Sequence, residues 1–378
     1  MSRVAVRLSV AVALIGASAS VVSAEPRFLA KQYTRCTTCH VSPTGGGLLS
    51  AYGRSISHRE LSTTGAPMPS HGDPDPQPRE ESFLWGALGD SLGALQLGVE
   101  MRPSYLRYSF LDVSQDRNLL MNADVHASFR ANDWLFYGQV GRELEQDGYT
   151  VDSSEYWGGY QPEEGLGFRA GRFLPAYGVR FADHTAYNRS FLGLAQYDQI
   201  YGVEVSHTRG RYLTQVSMGP GRAESVIDDD GRASFTATGR VQIDLGTRTS
   251  VAASGLYRAA SDLDSRLGSA GIAFGYAPLS RLTTWTQVDG QFRDGAASTS
   301  YVVANETSLE VYRGIWLVVT PQARVGGGAA VPDLLRFGVG TSILPRTHFN
   351  LNLHYYRDRN RTSEITTQIF LAQLHLYL

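Results

Sequence analysis

Both cysteines of this chain fall in one pentapeptide, Cys36-Thr37-Thr38-Cys39-His40. Two thiols separated by two residues, with a histidine directly behind them, are what covalent attachment of a c-type haem requires. The thiols form thioether bonds to the porphyrin and the imidazole of His40 binds the iron as proximal ligand. The chemistry would be one-electron transfer, tuned by the sixth ligand, because a methionine there raises the potential relative to a second histidine. Met68, His58 and His71 are the candidates nearest in sequence, while His126, His354 and His375 fall on inward-facing registers further on. In an oxidising compartment the same two cysteines could instead close a disulfide, but the histidine that follows at once favours haem. Gly45-Gly46-Gly47 then permits either a close backbone approach to the porphyrin edge or a turn.

These residues stand behind a secretory pattern. Arg3 and Arg7 precede an apolar run from Leu8 to Ile15, and Val22-Ser23-Ala24 has the small residues of a cleavage site. The run is far shorter than the ~20 residues a spanning helix needs, and polar residues interrupt every later apolar stretch. Residues 1–24 therefore read as a signal peptide, and the mature chain starts near Glu25. Losing Arg3 and Arg7 leaves 32 Lys/Arg against 36 Asp/Glu, a net charge of −4, so nothing suggests nucleic-acid binding. Of the 34 basic residues only Lys31 is a lysine.

The haem motif lies in residues 25–90, an irregular, polar stretch read as a cytochrome segment. Pro67, Pro69, Pro74, Pro76 and Pro78 make its end an extended linker. From residue 91 to 378 the pattern has period two. Ala123, Val125, Ala127 and Phe129 oppose Asp124, His126 and Ser128, and Phe349, Leu351, Leu353 and Tyr355 oppose Asn350, Asn352, His354 and Tyr356. Alternation alone also fits a soluble sandwich; strand number and turn spacing decide between them.

Sixteen strands are expected, near 92–108, 119–129, 134–144, 155–160, 166–173, 198–207, 211–219, 234–242, 249–258, 267–276, 281–292, 301–312, 315–324, 334–341, 347–357 and 367–377. Most have about ten residues, the length that crosses a bilayer when tilted ~45°. Short turns, such as Asn132-Asp133 and Arg313-Gly314, alternate with longer polar loops at 109–118, 145–154, 174–197, 220–233, 293–300 and 358–366. An even strand number with short turns at one end and longer loops at the other is the signature of an outer-membrane barrel. Closure is required because an open edge in lipid would leave backbone groups unpaired. About sixteen strands enclose an aqueous channel. The expected fold is thus all-β, a 16-stranded antiparallel transmembrane barrel preceded by a short irregular haem segment. That segment is too short to bury a porphyrin alone, so the barrel's lumen or mouth should supply part of the wall. The haem would then lie on the periplasmic side or within the lumen.

In this combination the chain resembles the fused cytochrome–porins, outer-membrane proteins with one N-terminal Cys-x-x-Cys-His ahead of a sixteen-stranded barrel. The outer-membrane iron-oxidising cytochromes are the best known of these. The likeness covers architecture, with residue identity at Cys36, Cys39 and His40 and a Gly-rich stretch behind them. It implies electron transfer between an extracellular donor or acceptor, such as ferrous iron, and a periplasmic c-type cytochrome or other carrier. Like other porins, the protein would sit in outer-membrane lipid and could form a homotrimer. A second, local resemblance lies in Gly171-Arg172-Phe173-Leu174-Pro175-Ala176-Tyr177-Gly178, leading to Asp183-His184-Thr185. It is similar to the segment of phosphate-selective porins that opens the third outer loop. If that loop folds inward, Arg180, Asp183, His184 and Arg189 would line the constriction.

Acidic loop residues Glu143, Glu145, Asp147, Asp152 and Asp228-Asp229-Asp230 offer hard oxygen ligands that could attract ferrous ions, or are simply solvated. Three functions follow: an electron conduit, a diffusion porin whose haem segment plugs or senses, and a haem enzyme with an open iron site.

Overall fold

The computed structural model describes residues 26–64, 94–111, 113–145, 148–183, 185–195, 198–222, 233–260, 266–293, 298–327 and 332–378. The expected signal peptide and the proline-rich linker, with Met68 and His71, lie outside the described residues.

Period-two patterning gives strands β1 (Leu95–Phe110), β2 (Val113–Ala131), β3 (Trp134–Glu145), β4 (Gly148–Asp152), β5 (Tyr156–Glu163), β6 (Leu166–Phe173), β7 (Ile200–Arg209), β8 (Tyr212–Arg222) and β9 (Ala233–Gly246). They continue as β10 (Thr249–Ala260), β11 (Arg266–Leu279), β12 (Leu282–Arg293), β13 (Ser298–Tyr312), β14 (Ile315–Gly326), β15 (Leu334–Ile343), β16 (Phe349–Asn360) and β17 (Ile365–Tyr377). Apart from β4 and β5, which both pair with β3, each pairs antiparallel with its sequence neighbour, and β17 closes the ring on β1 from Glu100↔Tyr377 to Phe110↔Thr367. β4 and β5 pair with successive halves of β3, so together they make one stave, and the barrel has sixteen.

The faces are inverted relative to a water-soluble protein. Val125, Phe129, Phe136, Phe274 and Phe337 are exposed on the outside, whereas Asp124, His126, Ser128, Gln287 and Asp289 are buried inside. An outward apolar band with a polar interior is what lipid around a closed barrel demands. Among the described residues no helix is long and apolar enough to cross a membrane; strands are the crossing elements.

Three expected outer loops turn out to be strand. β1 and β2 take in 109–110 and 113–118, β4 fills part of 145–154, and β16 and β17 leave only 361–364 of 358–366. Polarity had marked these stretches as loops. They are hairpin arms, β2 alone having 19 residues, more than the ~9–11 a crossing strand needs. Cross-strand backbone pairing continues past that length even where side chains are polar.

Residues 26–64 fold into the end of the barrel that carries the short turns. They form a 3₁₀ turn (Pro26–Lys31), a second one (Cys36–Thr38), a helix (Ala51–Ile56) and a wider helical turn (Ser57–Leu61). The Ser50 side chain caps the helix by accepting from Gly53 N. The segment is clamped to the turns side by side. Lys31 Nζ meets Glu310 at 2.6 Å, and Arg35 Nε and Thr34 Oγ1 donate to Asp244. Ser57 bonds Tyr377 at 2.6 Å, Thr63 N donates to Leu344 O, and Arg313 donates to Ser62 O. Two apolar contacts seat it. Leu29 and Ala30 pack on Trp285, Ala304, Trp316 and Val318, while Leu48 packs on Tyr137, Trp157 and Phe173 across the lumen. Each buried leucine stabilises docking by about 1.5–3 kcal/mol.

Candidate functional site

The expected inward loop is present. The described residues between β6 and β7, 174–183, 185–195 and 198–199, leave the wall at Phe173 and cross the lumen, because their backbone groups find partners on the far staves. Gly178 N donates to Ser254, Val179 N to Gln287 and Tyr187 N to Gln322, and Tyr177 donates its phenol proton to Asp289 at 2.7 Å. The loop is thereby fixed from β10 to β14.

Between this loop and the N-terminal segment lies a cavity bounded by Cys36, Cys39 and His40 on one side and by Leu174, Tyr177, Arg180 and Arg189 on another. Phe28, Tyr33, Arg35, Arg240 and Trp285 also line it.

His40 is presented to this cavity by the turn behind it. Gly45, Gly46 and Gly47 all have positive φ, at 80°, 81° and 61°, conformations that side chains resist. They bring the Gly46 carbonyl back to His40 Nδ1 at 3.1 Å. A Cβ on Gly47 would also lie 2.2 Å from the Tyr137 hydroxyl. The glycines thus set the imidazole and fit the turn to the wall, a role the sequence left open between porphyrin approach and turn. Engaging Nδ1 leaves Nε2 as the free ring nitrogen, the arrangement a metal-ligating histidine uses. Burial, with Arg180 acting in the same sense, pushes His40 down to about 4, so it is neutral and able to ligate at working pH. Behind the motif the helix packs closely: a Cβ on Gly53 would meet Cys39 O at 2.3 Å. Cys36 is half-buried, Cys39 is buried, and both are free thiols. Burial raises the Cys39 thiol to about 12, keeping it protonated.

Donor type, proximity of the two thiols, the committed Nδ1 and the adjoining cavity all fit a covalently attached haem. Of the expected inward residues, Arg180 and Arg189 reach the cavity. Arg180 Nη1 donates to Gly45 O, next to the carbonyl that holds His40. Asp183 instead faces the opposite wall, 3.7 Å from Arg336, and His184 lies outside the described residues.

Among the described residues, the candidate sixth ligands are not gathered here. His58 is turned toward the β15–β16 connection, its Nδ1 bonded to Thr347 Oγ1 at 2.5 Å, and is absent from the cavity wall. Met68 and His71 lie outside the described residues. His126 bonds Tyr137 at 3.0 Å, and His375 meets Glu100 at 3.1 Å. His354 stacks on Tyr356. Of the acidic loop residues, Asp152 is paired with Arg172 at 3.0 Å, while Asp147 and Asp228 to Asp230 lie outside the described residues.

Arg35, Arg240, Tyr177 and Trp285 belong to the wall and were not foreseen. The signal that could have found Arg240 and Trp285 is an inward register carrying a full charge or an indole.

No family model matches the chain, and no curated protein matches it. Solved structures do. The chain is similar to an anion-selective porin from Comamonas acidovorans, with a TM-score of 0.57 at 10% identity, over 75% of this chain and 99% of that one. It is similar to OprB of Pseudomonas putida (TM-score 0.58, 7% identity, 75% and 94% covered) and to OmpT of Vibrio cholerae in its trimer form (0.53, 11%, 75% and 99%). At such identities the likeness is one of fold alone: the chain has the closed sixteen-stranded barrel of the outer-membrane porins.

Proposed function

We propose that this chain carries one haem c, linked through Cys36 and Cys39 with His40 as proximal ligand. In this reading it transfers electrons across the outer membrane between an external donor or acceptor, ferrous iron included, and a periplasmic cytochrome. The single observation that carries the reading is the Cys-x-x-Cys-His motif facing a cavity inside a porin-type barrel, its histidine already oriented by Gly46. The group, when bound, supplies a one-electron couple. The chain's own residues hold the imidazole neutral, shield the cavity with the inward loop, and keep the motif near the short turns. There Arg35 donates to Gly210 O at 2.6 Å. Short turns lie on the periplasmic side of such barrels, which suits a periplasmic electron carrier as partner.

Liposomes loaded with an electron acceptor test this. External ferrous iron should reduce the protein's visible absorption band and then the trapped acceptor, and a Cys36→Ala/Cys39→Ala protein should do neither. A second reading, a diffusion porin with residues 26–64 as plug, is favoured by the channel proteins among the fold's relatives and by the docking of that segment in the lumen. It predicts a haem that external ferrous iron leaves unchanged, in a protein through which small solutes leak. Carbon monoxide spectra of the coloured protein test for an open sixth position: no shift is expected if a side chain such as Met68 or His71 fills it.

A further inference from the structure

Four arginines line the cavity, Arg35, Arg180, Arg189 and Arg240, and none of its described lining residues is a carboxylate. Arg35 is satisfied by Asp244 and the Gly210 carbonyl. The other three are each left with one buried nitrogen that has no hydrogen-bond partner: Arg180 Nε, Arg189 Nη2 and Arg240 Nε.

These are not slack side chains. Arg189 is held by Leu194 O at 3.3 Å and Phe181 O at 3.1 Å, Arg240 by Gln215 Oε1 at 3.2 Å and by Gln242, and Arg180 by Gly45 O. Every acceptor among those contacts is neutral. Burying charge costs several kcal/mol unless it is paired; Arg189 stands in the repelling field of Arg180, with Asp183 and Asp198 acting in the opposite sense. Fixed guanidinium groups with spare N–H donors suit planar carboxylates. Three such groups around one cavity suit a ligand with more than one negative charge.

We propose that Arg180, Arg189 and Arg240 receive the propionate carboxylates of the porphyrin anchored at Cys36 and Cys39. The assignment rests on the haem reading above. It makes the inward loop part of the binding site, since two of the three arginines belong to that loop. A small carboxylate or phosphate solute in the lumen shares the chemistry, and the experiment separates the two sources.

The test uses full-length protein, matured with haem, as wild type, Arg180→Gln, Arg189→Gln and Arg240→Gln. Arg258→Gln is the control, since Arg258 is buried on β10 but absent from the cavity wall. Gel mobility before and after heating reports the folded barrel, haem staining reports attachment, and spectroelectrochemical titration reports the midpoint.

Removing a nearby positive charge favours the oxidised iron. Each cavity variant should lower the reduced-to-oxidised ratio at fixed potential about tenfold, or about 59 mV for one electron, with Arg258→Gln within about twofold of wild type. Where a glutamine variant does not reach the folded form, the lysine variant replaces it; keeping the charge but losing the fork, it should shift the ratio about threefold. Added inorganic phosphate should leave the wild-type midpoint unchanged.

Folded, haem-bearing variants that titrate like wild type overturn the propionate assignment and leave the haem in place, as does a wild-type midpoint that moves with phosphate, which assigns the arginines to solute. A wild-type protein that stains for no haem overturns the functional reading, and this assignment with it.

Discussion

Along β2, Val125 and Phe129 face outward while Asp124, His126 and Ser128 are buried, and this two-residue rhythm recurs in stave after stave, held by backbone ladders between neighbours. Residues 26–64 have no such rhythm. Their order comes from single contacts to separate turns: Lys31 to Glu310, Arg35 to Asp244, Ser57 to Tyr377 and His58 to Thr347. The wall is redundant, because any one pairing has dozens of equivalents. The inserted segment is not, and each of its contacts is a separate point of failure. Changes in the segment should therefore release it without touching the barrel, whereas changes on the wall's outer arms should do nothing to either.

The strongest challenge to this contrast is Gly53→Val. Its branched side chain would collide with the Cys39 carbonyl, and overpacking against backbone costs about 3 kcal/mol or more. Limited proteolysis should cut within residues 26–64 at least a hundredfold faster, with the heat-induced mobility change of the barrel unaltered. Leu29→Ala follows, at about 2–4 kcal/mol lost from the packing on Trp285 and Trp316, read by the same cleavage rate. Lys31→Met leaves Glu310 buried without its cation and should weaken docking by about 1–3 kcal/mol, restored in part by pairing it with Glu310→Gln. At the far end of the scale, Asp116→Asn breaks the exposed 3.7 Å pair with Arg107 on the outer hairpin. Thermal unfolding should move by less than about 0.5 kcal/mol. If Gly53→Val instead destabilised the barrel itself, the two regions would be one cooperative unit.

Legibility followed the same division. The barrel could be read from sequence because strand period and turn spacing are local, so Phe349 to Tyr356 announced both faces of β16. The missed stretches, 109–118 and 358–366, are polar hairpin arms, where composition says loop and cross-strand pairing says strand. At the candidate site, Cys36, Cys39 and His40 could be named because the haem expectation rests on their spacing alone, and Arg180 and Arg189 through the loop that bears them. Arg240 and Trp285 were not. They come from wall positions 200 residues or more beyond the motif, and the alternation that turns them inward does the same for dozens of others. His58 misled for the complementary reason: nearness in sequence put it beside the motif, and the chain's path to Thr347 carried it away.

Lys31 has one more consequence. It is the chain's single lysine, its side chain is 15% exposed, and it lies on the segment's own clamp against Glu310. An amine-reactive dye therefore has one ε-amine to find, shielded while the clamp is shut and available once it opens. The protein comes supplied with its own docking gauge, so the rate at which such a dye couples reads insertion of the segment directly, with no engineered label.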